Sequence, residues 1–322
     1  MTPPVTVDAS IRPLREDDIP AADRVVRLAF GTFLGLPDPS AAMADTDYVR
    51  TRWLANPSAA FVAEAGGEVV GSNFATNWGS VGFFGPLTIR PDYWDRGLGS
   101  RLMEPIVECF ERWGSTSAGL YTFAQSLKHV GLYQKFGFWP RFLTAIMKKP
   151  VEPCGDHVEW TRLSGLTEAE RPSLLEACRQ LTSSIYDGLD VGVDIRAVLE
   201  QQLGEVVLLW NGGVQPQLAG LAVCHCGPRT EAGTGNCYIK FGAVRSGPSA
   251  ATDFRRLLSA CDALASERQL TTIVAGANMA RHEGYQCMLE RGFRAVTLGV
   301  TMHRANEPGY NRPGVYLIDD WR

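Results

Sequence analysis

The chain repeats itself once, and no other feature limits its possible folds as strongly. "GFWPRFLTAIMKK" from Gly137 and "GFRAVTLGVTMHR" from Gly292 both open on Gly-Phe and place Met ten residues after the glycine. The offset is 292 − 137 = 155, and it carries Ile89-Arg90 onto Val244-Arg245 and Leu102-Met103 onto Leu257-Leu258, without a gap from 89 to 149. Further upstream it shortens, with Gly71 matching Gly220 at an offset of 149. Each copy is about 150 residues, the size of a domain and not of a solenoid unit. We expect one domain over 8–150 and a second over 156–322. Two prolines and a glycine between Lys148 and His157 mark the junction.

Within the first copy the periodicities predict an order of elements. Ile11 to Leu14 reads as a strand, and Asp17 or Asp18 caps a helix that tolerates Pro20 in its first turn. The apolar face of that helix is Ala22, Val25, Val26, Ala29 and Phe30. A less regular helix runs through Tyr48, Trp53 and Leu54. "AAFVAEAGGEVVGSNFAT" reads as two strands around a Gly-Gly turn. A further strand, "VGFFGPLTI", precedes a helix striped by Leu102, Met103, Ile106, Val107, Phe110 and Trp113, with Pro105 expected to strain it. "AGLYTF", "SLKHVGLYQKF" and "RFLTAIMKK" complete the copy as strand, short helix and strand. The expected class is α+β, each copy a layered α/β domain with a mixed central sheet flanked by helices.

Composition excludes some partners. The formal net charge of −4 offers no basic field for nucleic acid and disfavours anionic membranes. The N-terminal "MTPPVTVDASIRPL" lacks the basic and apolar regions of a secretory signal, and no run of about 18 apolar residues suggests a membrane span. Eight scattered cysteines fit reduced thiols and a cytoplasmic location. Cys224-His225-Cys226 reads as a strand with alternating faces; no second pair at zinc spacing accompanies it, so no metal is expected.

The chemistry concentrates in "GPLTIRPDYWDRGLGSRLM", from Gly85 to Met103. An apolar strand, a glycine-rich turn and a helix N-terminus bring main-chain N–H groups and the positive end of a helix dipole to one place. That arrangement suits a pyrophosphate. It is neither the dinucleotide fingerprint nor a P-loop, whose spacing and lysine are missing.

The order strand, Pro91, Arg96-Gly97-x-Gly99, Leu102 resembles the acetyl-CoA motif of the GNAT N-acetyltransferase superfamily. "SLKHVGLYQKFGF" resembles that family's closing motif, a helical tyrosine ahead of Gly-Phe. The resemblance implies two tandem GNAT folds. It also implies transfer of an acetyl group from acetyl-CoA, as cosubstrate, to a primary amine of a small-molecule acceptor by direct attack. Leu87, Thr88 and Ile89 would pair with the pantetheine arm, and a main-chain N–H near Leu87 would polarise the thioester carbonyl. Asp95, Arg96, Gly97, Leu98, Gly99 and Ser100 would wrap the pyrophosphate, with charge added by Arg96 and Arg101. Ser126, where the family often has Asn, would contact the pantetheine, and Trp94 stands where the family has Gln or Arg. Tyr133 would be the acid that protonates the departing thiolate, against the alternative of a tyrosine buried in the core.

The 155 offset turns Gly97 into Thr252, Gly99 into Phe254 and Tyr133 into Met288, so the second copy is expected to keep the fold and lose the cofactor loop. It would then serve packing, the acceptor pocket or a homodimer interface. Asn278 and Arg281 read as a helix cap and a salt bridge, against the alternative of a polar site. The acceptor region offers Phe33, Asp38, Asp45, Asp47, Tyr48, Trp53, Trp78, Phe83, Phe84 and Trp139, a set suited to an organic ammonium group or to core packing. Candidate bases are Glu64, His129, Asp319, Asp320 and the terminal Arg322 carboxylate. Two readings compete with the enzyme: a non-catalytic acyl-CoA sensor, and a scaffold whose second copy binds another protein.

Overall fold

The structure is a computed structural model that describes residues 8–152, 159–212 and 216–322. The first copy runs β1 (Ser10–Pro13), α1 (Ile19–Phe33), α2 (Tyr48–Ala55), β2 (Ala60–Ala65), β3 (Glu68–Trp78), β4 (Val81–Phe84), β5 (Thr88–Ile89), α3 (Leu98–Trp113), β6 (Ser117–Thr122), α4 (Leu127–Gln134) and β7 (Phe138–Pro150). The second runs β8 (Thr161–Arg162), α5 (Arg171–Ile185), α6 (Gly192–Glu200), β9 (Gly204–Trp210), β10 (Leu218–Gly227), β11 (Gly233–Val244), α7 (Ala250–Glu267), β12 (Thr272–Asn278), α8 (His282–Glu290) and β13 (Arg294–Arg304). A short β14 (Leu317–Ile318) follows. Pro105 lies inside α3 without ending it. Cys224 and Cys226 lie on one face of β10 and His225 on the other, as alternation predicts. Among the described residues no helix is long and apolar enough to cross a membrane.

The offsets read from the sequence reappear as hydrogen-bond register. Val81–Phe84 of β4 pair in parallel with Ser117–Leu120 of β6, and residues 155 further on, Asn236–Ile239 and Thr272–Ala275, pair identically. Ala75 opposes Phe84, and Cys224 opposes Ile239, which reproduces the shorter offset of 149.

The copies are not separate sheets. Strand order is β1-β2-β3-β4-β6-β13-β7-β12-β11-β10-β9-β8, so the last strand of each copy lies against the other copy. Met302 of β13 faces Leu120 of β6, and its equivalent Met147 of β7 faces Ala275 of β12. Side chains follow the strands. Val300 and Met302 enter the first copy's core with Ile106 and Phe110, while Ala145 and Met147 enter the second's with Phe254 and Leu257. Val296 and Leu298 stay exposed.

Two expectations change here. Lys148, Lys149 and Pro150 belong to β7 and pair with β12, so the junction begins after them. Cys154 and His157 lie outside the described residues.

After β13 the chain returns over the shared sheet. A Cβ at Gly119 would fall 2.1 Å from the Trp321 ring, and one at Gly276 would fall 2.2 Å from the Asp320 Cβ. Glycine at these two strand positions clears the path that the tail occupies.

Candidate active site

At Gly85, with φ of 144°, the edge of β4 breaks. The chain leaves β6 and resumes as β5 against β3, where Thr88 opposes Ser72 and Ile89 opposes Gly71. Parallel pairing of β4 with β6 ends at Phe84 and Leu120, so the sheet splays beyond that point. The glycine turn follows the splay. Gly97 caps α3 with φ of 79°, a conformation that glycine adopts without cost. A Cβ at Gly97 would meet nothing within 4 Å, and one at Gly99 only the Leu132 Cδ2 at 3.2 Å. Open space therefore lies beside the N-terminus of a 16-residue helix.

The second copy closes the same feature. β11 runs unbroken, and β14 pairs with it at Gly242 and Ala243, the equivalents of Leu87 and Thr88. Phe254, the counterpart of Gly99, is fully buried and packs on Tyr316 at 5.6 Å. The chain's own tail thus fills the slot that stays open in the first copy.

A cleft of about 330 Å³ lies between the copies, lined by Asp45, Tyr48, Lys148, Glu231, Tyr238 and Arg322 among others. Beneath it runs a buried charge network. Arg52 donates to both Glu231 oxygens at 3.0 Å and to the carbonyls of Gly85 and Arg322. Lys240 joins Glu231 at 2.9 Å and Asp194 at 3.1 Å, and Asp194 accepts the Trp78 indole N–H. Arg52 and Lys240 hold the Glu231 carboxyl well below the usual carboxylate range despite its burial. Arg52 thereby ties the strand break at Gly85 to the second copy.

Residues 26–138 match the model of the acetyltransferase (GNAT) family. The chain carries a GNAT acetyltransferase domain. No curated protein matches it in sequence. A protein of Pyrococcus horikoshii proposed to be an acetyltransferase is similar in structure, with a TM-score of 0.66 at 14% identity over 98% of this chain and 96% of that one. A GCN5-related N-acetyltransferase from Sphaerobacter thermophilus gives 0.57 at 15% identity over 93% and 96%. The glucosamine N-acetyltransferase region of a fungal multi-domain β-N-acetylglucosaminidase gives 0.62 at 13% identity, over 93% of this chain and 38% of that one. At these identities the likeness is one of fold, and it extends over both copies.

Within the GNAT domain the expected cofactor residues divide. Leu87 and Thr88 stand at the splay, Thr88 with its hydroxyl 3.0 Å from that of Ser72. The Ile89 carbonyl is taken by the Trp94 indole N–H at 2.7 Å, so the residue that departs from the family pattern closes that acceptor. Asp95, Arg96, Leu98 and Ser100 form the turn and first helical residues. Asp95 pairs with Lys128 at 2.6 Å, and Arg96 lies over the Tyr93 ring. Arg101 turns away and donates to the Ala9 carbonyl at 2.6 Å, which removes it from the loop. Ser126 occupies the N-cap position of α4 without a side-chain capping bond and is nearly buried.

Tyr133 lies on α4 with its ring edge-on to Phe84 at 5.5 Å. Its hydroxyl makes no hydrogen bond among the described residues, and burial pushes the phenol pKa up, so it stays protonated. His129, one turn earlier, packs on Phe33 at 5.2 Å; burial and Lys128 lower its pKa. Glu64 is bound to Arg12 at 2.5 Å and is not free to act as a base. Asp319 is held by Arg281 at 2.7 Å, the salt bridge expected of Arg281, and Asn278 caps the turn at Ala280. Asp320 accepts from the Tyr238 hydroxyl at 3.1 Å, and burial raises its pKa.

Of the ten expected acceptor residues, Asp45 and Tyr48 line the cleft. Asp38 and Asp47 cap short helices, and Trp53 bonds to the Leu14 carbonyl. Trp78, Phe83 and Phe84 are core, Phe33 joins His129, and Trp139 is exposed. Sequence reading missed Arg52, Glu231 and Lys240. The available signal was Lys240 within the apolar run "CYIKFGAV", a charge that burial obliges to find a partner.

Proposed function

We propose that the chain is an acetyl-CoA-dependent N-acetyltransferase with one catalytic copy and one structural copy. The observation that carries this reading is the contrast at one position. In the first copy β5 pairs with β3 and the glycine turn has open space beside Gly97, whereas in the second β14 pairs along the equivalent strand and Phe254 fills the turn.

The open cradle fits acetyl-CoA. Main-chain N–H groups of Gly97, Leu98 and Gly99 would face the pyrophosphate, and the free edge at Leu87 and Thr88 would take the pantetheine arm. The bound cosubstrate supplies the activated acetyl group. The chain supplies the rest. Main-chain N–H near Leu87 polarises the thioester carbonyl, and Tyr133, protonated and with its hydroxyl uncommitted, delivers a proton to the leaving sulfur. The acceptor, a small-molecule primary amine, enters from the cleft between the copies, so the second copy builds half of that wall through Glu231 and Tyr238. Among the candidate bases, Asp320 is held by residues lining that cleft, Tyr238 and Arg322, and its raised pKa suits proton uptake.

The test is thiol release from acetyl-CoA by the full chain with a panel of primary amines. Amine-dependent release supports the reading. Acetyl-CoA that binds tightly and is never turned over would make the protein an acyl-CoA-binding module instead.

A further inference from the structure

The cleft between the copies has a charge pattern that points to the chemistry of its occupant. The two side-chain carboxylates that line it, Asp45 and Glu231, are already committed. Both Asp45 oxygens accept from Thr234, from its N–H at 2.9 Å and its hydroxyl at 2.5 Å, and both Glu231 oxygens accept from Arg52, one of them also from Lys240. The buried side-chain charges pair as three cations, Arg52, Lys240 and Arg322, with three carboxylates, Glu231, Asp194 and Asp320, and the Arg322 main-chain oxygen also accepts from Arg52.

Lys148, which lines the same cleft, makes no ion pair among the described residues. It stands on β7 opposite Val274, which stands beside Tyr238 on β11, so the three form one row across the sheet face. Two strand spacings, about 10 Å, separate Lys148 from Tyr238. The Arg322 guanidinium covers the Tyr238 ring at 4.1 Å, with its Nε 3.2 Å from Asp320, and lines the same cleft. On the other side Lys148 opposes Arg294 of β13, and neither forms an ion pair among the described residues. Like charges facing each other across a ladder are unfavourable unless an anion lies near them.

We propose that this cleft takes an acceptor bearing an anionic group, a carboxylate or a phosphate, which Lys148 and Arg322 bind. The inference rests on the acetyltransferase reading for the word acceptor and narrows it from primary amines at large to amines that carry a negative charge. Arg322 is charged and lies inside, whereas Lys148 is exposed at the rim. The anion therefore enters past Lys148 and fixes how far the amine reaches toward Gly85.

Calorimetry on the full chain, saturated with CoA, tests this with two matched pairs of probes: 6-aminohexanoate against hexylamine, and O-phosphoethanolamine against ethanolamine. At least one anionic member should bind about tenfold or more tightly than its neutral counterpart, the scale of one charge-assisted hydrogen bond. The pair that discriminates tells carboxylate from phosphate. Lys148→Ala should remove that preference, and Lys148→Glu should reverse it toward the neutral amine. Both replace an exposed side chain, and an unchanged CoA affinity shows that the variants are folded. Equal binding within both pairs, tighter binding of the neutral members, absence of anion binding, or a preference that survives Lys148→Glu overturns the proposal. Failure of CoA to bind at all is a different result and counts against the acetyltransferase reading.

Discussion

Thr144 on β7 stands directly opposite Gly299 on β13, and the two are the same position in the two copies, 299 − 144 = 155. The antiparallel pair is therefore symmetric about these residues, and a pseudo-two-fold axis passes between them. Each strand continues past the axis into the other copy's sheet, with Val300 and Met302 buried on one side and Ala145 and Met147 on the other. Neither core is complete without the strand of its partner.

A fragment ending near Pro150 should accordingly be insoluble or inactive. It loses the strand that covers β6 and leaves Leu120, Ile106 and Phe110 without Val300 and Met302. Gel filtration and thiol release on the fragment check this. A soluble monomer that turns over acetyl-CoA like the whole chain would show that the second copy is an independent module.

The buried ion pair between Arg52 and Glu231 joins residues on the two copies, with both side chains nearly inaccessible. Removing one partner leaves an uncompensated charge, and Glu231→Gln should cost about 3–5 kcal/mol of stability. Urea unfolding measures it. A loss below about 1 kcal/mol would mean that the network behaves as a surface pair does.

The tail should be sensitive to its two glycines. Gly276→Ala places a Cβ 2.2 Å from Asp320, and overpacking of this kind costs about 1–3 kcal/mol. We expect weaker acceptor binding with a smaller effect on acetyl-CoA affinity, because the tail lines the cleft and reaches the break at Gly85 only through Arg322, away from the glycine turn. Equal loss of both affinities would mean that the damage is general.

Acid should destabilise the fold in a defined window. Burial depresses the His225 and His303 pKa values to about 4 in the folded protein, against an ordinary value of 6.5. The unfolded chain therefore binds more protons between these values. Stability present above pH 6.5 is lost as pH falls and levels off near 4, by up to roughly 3 kcal/mol for each imidazole. Urea unfolding of His225→Phe, compared with the parent between pH 7 and 5, should show a shallower slope. An unchanged slope would remove His225 from the account.

What the sequence disclosed, and what it withheld, follows from the range of the interactions. The repeat was legible because Gly137 and Gly292 end helices with φ of 81° and 87°, a local demand that only glycine meets easily. The glycine turn was legible for the same reason at Gly97. The exchange of β7 and β13 was not, because "RFLTAIMKK" has the same alternation whichever sheet receives it. Nor was the Arg52–Glu231 pair, whose members lie 179 residues apart. Arg101 follows the loop in sequence, whereas its guanidinium reaches the Ala9 carbonyl just ahead of the first strand.

Tyr133→Phe should lower kcat by about 10²–10⁴-fold and leave acetyl-CoA affinity nearly unchanged, because the lost interaction forms only as the thiolate leaves. Thermal stability should hold, since the hydroxyl makes no hydrogen bond among the described residues. Steady-state kinetics decide it: an unchanged kcat would return Tyr133 to a packing role beside Phe84.

The central claim is that acetyl-CoA has one site per chain, in the first copy. Calorimetric titration of the full chain tests it most directly, alongside Gly99→Phe, which copies Phe254 into the open turn. The expected result is a stoichiometry of one for the parent and no binding by the variant, whose melting temperature should stay close to the parent's because a Cβ at Gly99 meets only the tip of Leu132. Two equivalent sites in the parent, or undiminished binding by the folded variant, would contradict it.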